Sequence, residues 1–136
     1  VTESVTGVSG TGSIGTVTAS GTGTSIAATY TVTVASYLGA NKYYLDSARQ
    51  ATVNLSEGST YRFDQSDSSN SGHPLRLSTT SDGTHGGGSQ YTTGVSTSGT
   101  PGSSGAYTQI TVASGAPTLY YYCTNHSGMG GQANTP

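Results

Sequence analysis

The residues best suited to chemistry lie near the end of the chain, in the segment CTNHSGM that runs from Cys123 through His126 to Met129. This segment holds the only cysteine, the only methionine and one of the three histidines. If a tight loop follows a strand here, a thiolate, an imidazole and a thioether can meet at one point. A buried cysteine beside a surface histidine is the alternative, but rare residue types gathered in one short segment favour a metal site.

His73 is the candidate for a second imidazole ligand, because it precedes a predicted strand that can lie beside the strand ending at Cys123. Two imidazoles and a thiolate in a trigonal set, with a distant axial thioether, form a blue-copper site. Zinc also binds thiolate and imidazole, but a thioether is a poor zinc ligand, so the residues favour copper. His85 lies in the sequence DGTHGGG and is predicted to be an exposed loop residue outside the site.

Alternating apolar residues predict the strands that would carry these ligands. The predicted strands occupy residues 26–36, 50–56, 59–65, 75–77, 107–113 and 118–123. A turn at Glu57 and Gly58 would join the second and third of them as a β-hairpin. In the last strand Leu119, Tyr121 and Cys123 share one face, so this strand would deliver Cys123 into the interior.

Two segments lack such alternation. Residues 1–25 are rich in Gly, Ser and Thr and are predicted to be an extended arm or linker, ordered by contact with another subunit; disorder is the alternative. Residues 78–106 are predicted to be mostly loop, with one short strand near Tyr91. A loop of that length usually has a function or a partner. Residues 26–136 are predicted to form one all-β domain.

The composition argues against several classes of protein. Charged residues are 7% of the chain and the four basic residues are scattered, so no nucleic-acid partner is predicted. No apolar run reaches the length of a membrane span, and a single cysteine excludes an intrachain disulfide. Neither a Ser-His-Asp set nor paired carboxylates are suggested by the spacing, so the chain is predicted not to be an enzyme.

Three segments resemble the cupredoxin family of blue-copper proteins, over roughly residues 29–131. ATVNLSEGSTYRFDQSD is similar to the strand-turn-strand of the family, GHPLRLS to the segment with the first histidine ligand, and TLYYYCTNHSGMGG to a short ligand loop. The resemblance implies a Greek-key β-barrel or sandwich that binds copper. It implies that His73, Cys123 and His126 are the equatorial ligands and that Met129 is the axial ligand.

The match departs from the family at Pro74, where many electron carriers have an asparagine that ties the two ligand loops together. The Ser-, Thr- and Gly-rich residues 78–106 are a second departure. Both departures concern the tuning of the site more than its existence.

A looser resemblance is to the cupredoxin-like modules of structural proteins from marine bacterial viruses, in which a segment like FDQSDSSNSGHPLRLSTTSDGTHGGG recurs. It implies a structural module of a virion, as a capsid decoration or a tail or fibre protein, on the virion surface or otherwise extracellular. The arm at residues 1–25 would then bind other copies or other structural proteins. The alternative is a soluble blue-copper electron-transfer protein, although the small neutral residues beside the ligand loop offer little docking surface.

Overall fold

Residues 25–136 are described by the computed structural model, and they form eleven β-strands and two short 3-10 turns. The strands are β1 (Ile26–Tyr37), β2 (Ala40–Leu45), β3 (Ala48–Arg49), β4 (Val53–Asn54), β5 (Thr60–Asp64), β6 (Leu75–Ser78), β7 (Gln90–Tyr91), β8 (Val95–Ser98), β9 (Tyr107–Thr111), β10 (Leu119–Cys123) and β11 (Gly131–Asn134). The turns are Ser68–Asn70 and Gly83–Gly86. The predicted all-β class is confirmed, whereas the predicted arm lies, apart from Ser25, outside the described residues.

The strands form two mixed sheets. One sheet has the order β3-β2-β1-β5-β9-β8 and the other has the order β4-β11-β10-β6-β7. Within them β1 runs parallel to β5 and β4 runs parallel to β11, while the other pairs are antiparallel. Among the described residues no helix is long and apolar enough to cross a membrane.

The core lies between the two sheets and is built largely from tyrosine and branched aliphatic residues. Phe63 of one sheet faces Tyr121 of the other, with ring centroids 6.1 Å apart, and Tyr43 lies 6.3 Å from the same ring. Along β10, Leu119, Tyr121 and Cys123 are fully buried, as the alternation predicts. The strand that ends at Cys123 is therefore anchored in the core along its inner face.

The register of β6 and β10 decides where the ligand segments meet. These strands are antiparallel, and Cys123 lies opposite Leu75. The end of one strand and the start of the other are therefore at the same edge of the sheet. His73, just before β6, emerges beside the loop that follows Cys123.

The predicted hairpin of residues 50–56 and 59–65 is wrong, because the two segments belong to different sheets. β4 pairs with β11, and Leu55 continues that contact by donating its N–H to the carbonyl of Asn134. After the turn, the N–H of Gly58 donates to the carbonyl of Val112, and β5 pairs with β1 and β9. The turn at Glu57 and Gly58 therefore connects one sheet to the other.

Residues 78–106 contain more structure than predicted. The short strand predicted near Tyr91 is present as β7, but the segment also includes the turn Gly83–Gly86 and the edge strand β8. Three of the four residues of β8 are exposed Ser or Thr, so the strand lacks the apolar alternation on which the prediction depended. Strands β2, β3 and β11 were also not predicted.

Candidate metal centre

The side chains of His73, Cys123 and His126 converge at one end of the two sheets. The sulfur Sγ of Cys123 lies 3.7 Å from Nδ1 of His73 and 3.8 Å from Nδ1 of His126. Donor atoms of the three residues all lie within 4.8 Å of one another. The prediction that these residues share a site that could hold a metal ion is confirmed.

The three donors differ in their exposure to solvent. Cys123 is fully buried, His73 is 9% exposed, and His126 is exposed. Burial lowers the pKa of His73 below its usual value, and the neighbouring His126 contributes to the same shift. The neutral imidazole is the form that binds a metal ion, so this environment favours the metal-binding form of His73.

Buried hydrogen bonds hold the backbone at His73. Its carbonyl accepts a hydrogen bond of 2.6 Å from the Tyr43 hydroxyl and one of 2.7 Å from Nε2 of Gln65. The same Gln65 uses Oε1 to accept from the N–H of Leu75 at 2.9 Å, and Nε2 also donates to Oδ1 of Asn70. Gln65 and Asn70 are buried, and both find partners, which is the condition for burying amides at low cost.

Tyr43, which binds the backbone of His73, also lies near Cys123. Burial raises the pKa of the Tyr43 hydroxyl well above its usual value, and the nearby Cys123 thiol raises it further. The hydroxyl therefore keeps its proton and can donate to the His73 carbonyl. The backbone N–H of the same residue donates to the carbonyl of Met129 at 2.9 Å, so Tyr43 contacts both ligand segments.

The two ligand segments are also tied directly to each other. The N–H of Thr124 donates to the carbonyl of Pro74 at 3.1 Å, and Nδ2 of Asn125 donates to the carbonyl of Gly72 at 2.9 Å. Pro74 has no side-chain amide that could join the two segments. The side-chain amide that joins them is that of Asn125, in the segment after Cys123.

Met129 is fully buried and belongs to the hydrophobic core. The residues on either side are fixed by polar contacts, since Nζ of Lys42 donates to the carbonyl of Gly128 and Nε2 of Gln50 donates to that of Gly130. A Cβ at Gly130 would lie 1.7 Å from the carbonyl oxygen of Tyr121, so only glycine fits there. The role of Met129 as the axial ligand stays a prediction.

His85 has a contact that the sequence did not predict. It is exposed, as expected, but its Nε2 lies 2.8 Å from the carbonyl oxygen of Cys123, across 38 positions of sequence. A carbonyl only accepts, so Nε2 carries the proton and donates. The sequence contains little signal for this contact, because a histidine within a glycine-rich segment has no periodicity that indicates which strand it faces.

Comparisons with known proteins do not extend the sequence resemblance. No protein-family model matches this chain, and no curated protein matches it significantly. The cupredoxin resemblance therefore stays a prediction.

We predict that the metal-free protein loses stability as the pH falls below the usual histidine pKa of 6.5. The folded state binds a proton at His73 less readily than the unfolded chain does. Protonation of His73 therefore takes nothing from the free energy of unfolding above pH 6.5. The free energy of unfolding falls as the pH drops from there toward the lowered pKa, and His73 causes no further change below that pKa. Urea unfolding at several pH values measures the effect. His73→Gln should show a shallower decline, and an unchanged pH profile in this variant would contradict the assignment.

We predict that Gln65→Leu destabilises the metal-free protein more than Tyr43→Phe does. The first change leaves the buried N–H of Leu75 without an acceptor, which costs about 1–3 kcal/mol. The second removes one of two donors to the His73 carbonyl and should cost about 1 kcal/mol, because Gln65 still donates. Urea denaturation of both variants is the measurement. Equal losses would contradict the larger contribution assigned to the contacts of Gln65.

Proposed function

We propose that this chain binds one copper ion through His73, Cys123 and His126, with Met129 as the axial ligand. The observation that carries the proposal is the convergence of two imidazole nitrogens on the sulfur of a buried cysteine. Soft thiolate together with imidazole suits copper, and the neighbouring thioether is a copper ligand that zinc does not favour.

Each ligand residue has a separate part in such a site. Cys123 supplies a thiolate shielded from water, and His73 supplies a neutral imidazole whose backbone is held by two hydrogen bonds. His126 is exposed, so an ion from solvent can reach it. When bound, copper supplies a one-electron redox couple.

We further propose that the fold is a cupredoxin-like Greek-key arrangement. Two mixed sheets enclosing one core support it, as does the location of the ligand segments at one edge of the sheet, before β6 and after β10. The sequence segments that resemble the family lie in these same elements.

The function proposed for the module is structural, on the surface of a virion or another extracellular assembly, without enzymatic activity. His73 and Cys123 are 50 positions apart, and residues 78–106 lie between them. Coordination by both residues closes that long segment and stabilises the folded state. The proposed partners are other copies or other structural proteins, which would be bound through residues 1–25.

A second candidate function is electron transfer by a soluble blue-copper protein. The observation in its favour is the exposure of His126, which contacts a buried thiol while its own ring reaches solvent. An electron could enter or leave a bound copper ion through such a ring. The two functions share the site but differ in the partner, because an electron carrier needs a redox partner and a structural module needs other subunits of an assembly.

We predict that copper(II) added to the folded chain gives an intense visible thiolate-to-copper absorption band, because Cys123 supplies the thiolate. Cys123→Ser should abolish this band. Met129→Leu should keep the band and change the redox potential, because an axial thioether tunes the site without supplying the thiolate. Absorption spectroscopy and redox titration are the measurements. Copper bound without a visible band would falsify the blue-copper assignment, and equal loss in both variants would contradict the axial role of Met129.

We predict that copper raises the melting temperature of the wild-type protein and that His73→Ala loses this increase. The reason is that the ion joins two distant segments only in the folded state, so its binding free energy adds to folding. Circular dichroism melts with and without copper test it, and the β-sheet signal should persist without metal. Identical melting of all samples would show that copper binds the folded chain no better than the unfolded chain, and it would contradict the proposed site.

A further inference from the structure

A short turn on the outside of the second sheet covers the strand that ends at Cys123. We call residues 82–86 the outer turn; they comprise Asp82 and the 3-10 turn Gly83–Gly86. Gly83 is buried against the ring of Tyr122, and a Cβ there would lie 2.4 Å from that ring. Tyr122 points away from the core but is only 1% exposed, because the outer turn lies on it. The residue beside the thiol ligand is therefore enclosed.

The outer turn makes hydrogen bonds to both ends of the ligand loop, residues 123–129. Nε2 of His85 donates to the carbonyl of Cys123 at 2.8 Å, and its ring packs edge-on against Tyr122, with centroids 6.3 Å apart. Oδ1 of Asp82 accepts from the N–H of Gly128 at 2.9 Å. His126 lies in the loop between these two contacts.

The outer turn and the ligand loop do not pack tightly against each other. A cavity of about 320 Å³ lies beside both segments, and glycines form much of its wall on the loop side. The lining residues are Gln50, Ser81, Asp82, Tyr120, Gly128, Gly130, Gly131 and Gln132. Beside this cavity, the hydrogen bond from the Gly128 N–H to Asp82 joins the turn to the loop. The opposite side of the loop is held from β2 by the N–H of Tyr43, which donates to the carbonyl of Met129.

The backbone of Asp82 is left-handed, as it is at four other non-glycine residues of the described chain. Its φ of 62° is in the left-handed region, which costs a non-glycine residue about 1–2 kcal/mol, although aspartate accepts it better than most. Conformations of this kind persist when surrounding contacts determine them and are concentrated at functional sites. In this conformation the carboxylate of Asp82 accepts a hydrogen bond from the N–H of Gly128.

We propose that Asp82 and His85 are positioning residues for the metal site. They hold both ends of the ligand loop, so that His126 faces Cys123 before an ion binds. The part of this inference that concerns metal rests on the proposed function, but the restraint on the loop exists in the metal-free protein and can be measured there.

The test compares variants that remove one contact each with matched controls. His85→Phe keeps an aromatic ring against Tyr122 but removes the N–H donor. Asp82→Gly removes the carboxylate and also relieves the left-handed strain, whereas Asp82→Asn keeps an acceptor oxygen and should behave like wild type. Thr84→Ala changes an exposed side chain in the same turn and is the neutral control.

The first measurement is amide hydrogen exchange on the metal-free proteins. Exchange should become about tenfold faster at Gly128 in Asp82→Gly, because its N–H loses its acceptor. In His85→Phe the Thr124 N–H keeps its acceptor, the Pro74 carbonyl, but should exchange faster because the Cys123 carbonyl of the same peptide is no longer held by His85. The two controls should exchange like wild type. His85 is exposed, so its variant should fold even if the Asp82 variant does not.

The second measurement is copper(II) affinity and the position of the visible band. Both contact-removing variants should bind copper(II) about tenfold more weakly and show a shifted band. Unchanged exchange, affinity and band in these variants would overturn the inference while leaving copper binding by wild type intact. A lowered melting temperature with none of these changes would also overturn it, since that is the result for a purely structural turn. If wild type binds no copper, the proposed function fails, and the exchange data still decide whether the outer turn restrains the loop.

Discussion

The antiparallel pairing of β6 with β10 is the constraint on which the site depends, because it places Leu75 opposite Cys123. A shift of one residue in this register would move the inward side chains of one strand to the other face. Cys123 would then leave the core, and His73 would no longer emerge next to it. The register is held by burial, since Leu75, Leu77 and Tyr121 are fully buried between the sheets.

Around that pairing the protein uses amides and hydroxyls where charged groups could have been used. Gln65 and Tyr43 bind the backbone near His73, the side chain of Asn70 accepts from Gln65, and Asn125 ties the following loop to Gly72. Neutral groups carry a smaller desolvation penalty than charges, so they can be buried without an ion pair. A chain with 7% charged residues thus builds a rigid site from side-chain-to-backbone hydrogen bonds.

These contacts bear on both proposed functions. A ligand loop restrained from the side of β2 and from the side of the outer turn would change little on binding an ion, so less binding energy would be spent on ordering it. The same rigidity suits a structural module, in which metal joins two preformed segments, and an electron carrier, in which the ligands should move little between oxidation states. The difference between the functions therefore lies in the partners more than in the geometry of the site.

The sequence by itself determined which residues could bind metal and that the fold is all-β. Rare residue types gathered in one short segment indicated Cys123 and His126, and alternation along β10 indicated that Cys123 points inward. His73 was inferred because a histidine just before a strand can meet the end of a neighbouring strand. These inferences succeeded because each depends on local spacing or on periodicity within a single strand.

Only the tertiary structure decided how the strands are shared between the two sheets and which distant groups support the ligands. Residues 50–56 and 59–65 look like a hairpin, yet hydrogen bonds to Asn134 and Val112 draw them into different sheets. The contact of His85 with Cys123 likewise joins segments 38 positions apart. Such contacts depend on which strand edges and backbone carbonyls the rest of the fold leaves available for hydrogen bonds. Periodicity within one strand contains no information about that.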